Sequence, residues 1–241
     1  MDWTKAKNIL IIALLVTNLM LLGVYALRAA QRNGDNDEET QRRILTEYNV
    51  FLETEIPRRP APMAVLFVRP ETEDAALIEK ALSEQTPIPD DGLEALLNAA
   101  NDLLERCGLM TENTKPAPPF ETNGGTTVIR YRDVFDGIPI EESHILCAIE
   151  AGRIVRLSRK WYTPLELNDT KGEILGPIEA LMRLLPEKDK DEPFVVKNME
   201  LVYRVSPERP VAEFPVGDTA LPAWKITDNK GTVTYIAAYA Q

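Results

Sequence analysis

Residues 126–162 read TTVIRYRDVFDGIPIEESHILCAIEAGRIVRLSRKWY. Three strand-like runs lie here, at 126–134, 138–150 and 153–162. Phe135-Asp136-Gly137 and Ala151-Gly152 separate them, each supplying a glycine where a tight hairpin needs positive φ. The spacing predicts an antiparallel meander, and the rest of the chain is read outward from it.

Downstream a similar plan recurs. Residues 177–185 have helical apolar spacing with Pro177 in the first turn. A charged loop leads to a strand at 194–205. A proline-broken stretch at 207–222 follows, then strands at 223–227 and 232–239 joined by Asp228-Asn229-Lys230-Gly231. Upstream, 63–68 is a short apolar strand, and helices are expected at 72–83 and 91–107. The second of these has Asp90 or Asp91 as N-cap and stops at Gly108. Ile44, Leu45, Tyr48, Phe51 and Leu52 recur at helical spacing, which predicts an amphipathic helix over 38–55, and Pro57, Pro60 and Pro62 end it. Residues 111–125, rich in Pro, Thr, Asn and Gly, read as a loop.

The N-terminus has a different character. Residues 9–27, ILIIALLVTNLMLLGVYAL, carry no charge. As a helix they would span about 28 Å, close to a bilayer's hydrocarbon thickness. Trp3 and Tyr25 suit interfacial anchors, and Lys5 and Lys7 flank the short side. A cleaved signal peptide is the rival reading, but the run is long for one and Arg28 follows at once. The expectation is an uncleaved single-pass anchor with the N-terminus cytoplasmic and the bulk extracytoplasmic, although Lys/Arg counts on the two sides balance. Leu14, Leu15, Asn18, Leu22 and Tyr25 share one face of that helix and form the candidate partner-binding surface. Asn18 either bonds a partner helix, worth roughly 0.6–2 kcal/mol, or bonds its own backbone or a water.

The chain is acidic, with net charge −11. Residues 1–32 carry +3, so the remainder carries −14. That argues against nucleic acid as a partner. Chemistry is sparse. His144, the single histidine, lies in Glu141-Glu142-Ser143-His144 with no nucleophile elbow nearby, and reads as an ordinary strand residue. Glu141 and Glu142 point to opposite faces of a strand, which makes a poor acid/base pair. One His and two distant cysteines supply no zinc set, and 189–192 lacks the calcium-loop pattern. No cofactor is expected. Cys107 and Cys147 read as buried small hydrophobes, although export would permit a disulfide. Trp161, Tyr162, Trp224, Tyr235 and Tyr239 could line a partner groove, but core is the preferred reading.

Several pieces together resemble the YycI family. They are Met1-Asp2-Trp3 with Lys5, Lys7 and Asn18; Phe135-Asp136-Gly137-Ile138-Pro139-Ile140 with Gly152; Pro177-Ile178-Glu179-Ala180-Leu181; Glu200-Leu201-Val202-Tyr203; and Leu221-Pro222-Ala223-Trp224-Lys225-Ile226. The Phe-Asp-Gly-Ile-Pro hairpin is also similar to PepSY-type folds. The resemblance implies a non-enzymatic, single-pass accessory regulator of the WalK/WalR (YycG/YycF) two-component system of Gram-positive bacteria. Its partners would be a YycH-like protein, a WalK-type sensor histidine kinase and the membrane, and its output cell-wall homeostasis. The implied fold class is α+β: a transmembrane helix, then an extracytoplasmic region of two helix-plus-antiparallel-sheet units, PepSY-like or YycH-like. The expected organisation is a head at 1–8, the span at 9–27, a juxtamembrane linker and helix at 28–61, and units at 62–168 and 169–241. The alternative is an anchored PepSY-like module that binds a peptide, inhibits a protease or senses wall fragments. A hydrolase has no residue set behind it.

Overall fold

Asp136 and Gly137 take φ of 50° and 80°, and Ala151 and Gly152 take 46° and 70°. Two-residue loops with both central residues at positive φ match the twist of antiparallel strands, so both expected hairpins form. The computed structural model describes residues 13–23, 35–72, 75–89, 92–187, 192–206 and 218–239. In chain order its elements are α1 (13–23), α2 (Asp35–Glu47), β1 (Val50–Leu52), β2 (Met63–Glu71), α3 (Ala75–Ser83) and α4 (Leu93–Arg106). There follow β3 (Thr114–Pro116), β4 (Glu121–Asn123), β5 (Thr126–Phe135), β6 (Ile138–Glu150) and β7 (Arg153–Gly172). The last are α5 (Pro177–Leu184), a 3₁₀ turn (Leu185–Glu187), β8 (Phe194–Ser206), β9 (Asp218–Asp228) and β10 (Val233–Ala237).

All ten strands belong to one sheet, ordered β1-β8-β9-β2-β7-β6-β5-β3, with β10 on β9 and β4 on β5. The 20-residue β7 makes this possible. Its first part, from Arg153 to Lys160, pairs with β6, and its second, from Trp161 to Gly172, pairs with β2. A parallel bridge between Ile140 and Tyr203 joins β6 to β8, so β8, β9, β2, β7 and β6 close into a ring.

Two apolar clusters pack on this sheet. In α4, Leu96, Ala100, Leu103 and Leu104 fall on one helical stripe and bury against Ile129, Tyr131, Ile145 and Cys147 of the meander. Tyr131 Oη donates to Asn101 Oδ1 at 2.7 Å, tying α4 to β5. The helix closes with a Schellman motif. Gly108, at φ 65°, donates to Glu105 O at 2.9 Å and Leu109 to Leu104 O at 2.8 Å. The other cluster gathers Leu45, Leu66, Val68, Ile140, Leu181, Tyr203, Trp224 and Ile226 beneath α2 and α5. Trp224 Nε1 donates to Leu175 O at 3.0 Å inside it.

Several expectations are corrected. Among the described residues no helix is long and apolar enough to cross a membrane. The described part of the expected span is the 11-residue α1. At 1.5 Å per residue it covers about 16 Å, against roughly 30 Å of hydrocarbon. Residues 9–12 and 24–27 lie outside the described residues. The single-pass placement and the fold class built on a transmembrane helix are therefore set aside. Nor do two separate units follow one another: β2 pairs with β7 on one side and β9 on the other, and its Met63, Leu66 and Val68 pack with the C-terminal cluster.

Smaller corrections concern local elements. The helix expected over 38–55 stops at Glu47. Asn49 takes φ 55°, and Val50, Phe51 and Leu52 pair in parallel with Phe194, Val195 and Val196. An open β8 edge outcompetes the helical spacing there, since short apolar runs suit either structure. The expected loop at 111–125 contains β3 and β4. α4 has Gly92 at its N-cap with no side-chain cap, and Asp90 and Asp91 lie outside the described residues. Pro222 stands inside β9 opposite Tyr203, and its carbonyl accepts from Ala238 N at 3.0 Å.

Candidate functional site

The register between β5 and β6 breaks at one place. Arg132 faces His144, but the next residue, Asp133, faces Ile140. Glu141, Glu142 and Ser143 are thus three extra residues on β6, a large version of the bulge that re-aims side chains and bends a strand. Each of the three bonds to a different neighbour. Glu141 takes Lys225 Nζ of β9 at 2.7 and 3.0 Å, and its Oε1 accepts from Tyr235 Oη of β10 at 2.7 Å. Glu142 Oε2 accepts from Val205 N of β8 at 2.7 Å, with Arg204 Nε 3.7 Å from its other oxygen. Ser143 Oγ accepts from Tyr162 N of β7 at 2.9 Å.

Outward from the bulge the charges continue. Glu200 of β8 binds Arg132 Nη1 at 3.0 Å and lies 3.8 Å from Lys225 Nζ. The Arg204 guanidinium stacks 4.1 Å over the Tyr235 ring. Glu141 and Lys225 are well covered, their side chains 15% and 17% exposed, so their attraction is less screened than a surface pair's. Burial pushes the Glu142 carboxyl up, opposed by the Val205 N–H and Arg204. Burial, then the bond to Glu141, pushes the Tyr235 phenol far up.

This arrangement joins strands. Ser143 is fully buried and its Oγ is occupied. His144 follows it in the strand, is half-buried, and has an Nδ1 without a hydrogen-bond partner. Burial, then the charges of Arg130 and Lys160, hold its imidazole below the usual histidine range. Among the described residues no group of three or more His, Cys, Asp or Glu could hold a metal. Cys107 and Cys147 are free, buried thiols in the α4–meander core. Trp161 and Trp224 are core residues at 4% and 1% exposure, and neither lines a groove. Tyr162, Tyr235 and Tyr239 are half-buried.

Of the partner-binding surface, Leu14, Leu15, Asn18 and Leu22 lie on α1 and all are exposed. Leu14, Leu15, Val16, Leu19, Met20, Leu21 and Leu22 are 56–70% exposed, so among the described residues nothing covers this apolar helix. Tyr25, Trp3, Lys5 and Lys7 lie outside the described residues.

Sequence reasoning missed the bulge, although a signal was present. In IPIEESHILCAIE the apolar positions shift parity, from Ile138 and Ile140 to Ile145, Cys147 and Ile149. A strand that changes parity must contain an odd insertion. No protein-family model matches the chain, and no curated protein sequence matches it either.

Proposed function

We propose that this protein is a non-enzymatic regulatory module of the YycI type, acting with a YycH-like partner on a WalK-type sensor histidine kinase that governs the cell wall. The observation that carries the reading is α1. Seven large apolar side chains stand 56–70% exposed along the described residues of α1, around the single amide of Asn18. Burying such a side chain fully is worth about 1.5–3 kcal/mol, so the helix has a strong drive to be covered. Helices of a partner protein can supply that cover. A lone amide in an apolar helix contact fixes register and partner choice, because an unmatched amide there is left unbonded.

The regulatory reading is also supported by the state of the polar residues. Where two acids and a serine adjoin, they brace strands against one another. A helix can bias a kinase only by binding two kinase states unequally, which calls for a rigid body behind it. The braced sheet provides one. The peptide-groove alternative loses its main support with Trp161 and Trp224 in the core.

The test is co-purification of the chain with the kinase and the YycH-like protein. Leu15→Asp should abolish recovery of both, and Asn18→Leu should weaken it without unfolding the sheet. Full recovery of both partners with both variants would overturn the reading.

A further inference from the structure

We infer that the open face of the β5–β6–β7 meander is a second docking surface, one that takes an extended acidic segment of a protein partner. It is separate from α1 and stands whether or not α1 binds a kinase. The register carries the inference. Lys115 of β3, Arg132 of β5, His144 of β6 and Lys160 of β7 are directly paired in a single cross-strand row. The next row on the same face holds Arg130, Leu146 and Ser158, and the one after it Glu121, Val128, Ala148 and Arg156, so the cations outnumber the acids across the three rows. The opposite face is the one buried under α4 through Ile129, Tyr131, Ile145 and Cys147.

Lys115, Arg130, Arg156 and Lys160 are all exposed. Arg132 alone in the first row has an acid, Glu200 at 3.0 Å, while Lys160 rests over the Tyr162 ring at 5.7 Å. Like charges placed opposite one another on a sheet are destabilising, so the fold carries this row at a cost. On a chain of net charge −11, so many cations on one face form a local field of opposite sign.

The spacing favours a peptide. Three strand steps separate Lys115 from Lys160, about 14 Å at 4.7–4.9 Å each. Carboxylates at i, i+2 and i+4 of an extended segment cover about 13 Å on one side. Leu146, Ser158 and Ala148 between the cations offer neutral surface to the rest of such a segment. A long uniform polyanion fits less well, because Glu200 stands on Arg132 within the row and the chain as a whole repels it.

The experiment titrates a dye-labelled synthetic peptide of alternating Glu and Thr into the full chain, read by fluorescence anisotropy at low and moderate salt. A Gln-for-Glu version of the peptide and inorganic polyphosphate serve as comparisons. Saturable binding is expected that needs the glutamates and weakens with salt. The double variant Arg130→Glu/Lys160→Glu should lose at least about tenfold in affinity. Lys197→Glu, at a site away from this face, should change nothing, and all variants should keep the wild-type circular-dichroism melt. No binding, or equal binding by wild type and the double variant, overturns the proposal. Polyphosphate binding tighter than the peptide overturns it in favour of a polyanion surface.

Discussion

Asp133 should make this fold less stable as pH rises through the weakly acidic range, and Asp133→Asn should remove the effect. The side chain is 2% exposed, in β5 beside the point where β6 bulges. Burial pushes its carboxyl up from 3.8 to about 6, and the charge of Glu71 adds to this. The Val134 backbone N–H and Arg159 work in the other direction. Between about pH 4 and 6 the folded chain therefore holds a proton that the unfolded chain has released. Stability from this group is complete below about pH 4 and falls as pH climbs to 6. A rise of roughly two pH units at 1.36 kcal/mol each makes the loss about 3 kcal/mol.

Asparagine resembles the protonated acid and does not titrate. Urea unfolding of both proteins at about pH 3, 4.5, 6 and 7.5 isolates the contribution by difference. The two should be nearly equally stable at the lowest pH. By neutral pH the variant should lead by up to about 3 kcal/mol, some 6–12 °C in melting temperature for a chain this size. A difference that stays constant with pH would refute the raised carboxyl. A variant less stable at neutral pH would mean that the carboxylate is held charged by Arg159.

Gly152→Ala should cost about 1–3 kcal/mol in thermal unfolding: φ is 70°, and the new Cβ would lie 2.9 Å from Ile88 O, whose residue also donates to Gly152 O at 2.7 Å. Glu141→Gln should cost about 1–3 kcal/mol, because Lys225 would keep only Glu200 at 3.8 Å. The same variant should let Tyr235 ionise at lower pH, seen in an ultraviolet titration, since one cause of its shift is gone. Cys107 and Cys147 should both be silent toward a chromogenic thiol reagent in the native state and both react on unfolding. Burial pushes the Cys147 thiol up to about 12 and raises Cys107, so neither is a ready thiolate. A missing thiol after denaturation would show a disulfide and refute free cysteines.

The meander was legible because its determinants are local: two hairpin loops with glycine at a positive-φ position, and alternation between them. The same holds for α4, whose stripe and Gly108 stop lie within one segment. Other features depended on partners far along the chain. Val50, Phe51 and Leu52 carry helical spacing and become a strand only because β8 offers them a parallel edge. β2 lies next to α3 in sequence but takes its packing from β9 and α5, so no reading of neighbours could assign it to the C-terminal core. The apolar run at 9–27 was read from its length, its lack of charge and its flanking residues, and the structure describes only its middle as helix. For the candidate site, the residues were in view but not their roles. Glu141 and Glu142 were read only as strand acids on opposite faces, because their partners Lys225, Tyr235 and Val205 lie more than sixty positions away.

The three-residue bulge marks the place where the sheet passes from one core to the other. Ile140 opposes Asp133 and Ile145 opposes Tyr131, two residues apart on β5, so the odd insertion keeps the apolar positions of β6 in phase with β5, while Ile140 packs with Tyr203 in the C-terminal cluster. An insertion leaves ladder groups unpaired, and a strand crossing between cores would have to bury them at a cost. Here the inserted side chains take over: Ser143 receives the Tyr162 N–H and Glu142 the Val205 N–H. Glu141 then needs its own counter-charge, which Lys225 provides. The acids that looked most like catalytic candidates are thus what the topology demands at the crossing. Because each is engaged by another strand, movement of these strands against one another must break bonds at the bulge.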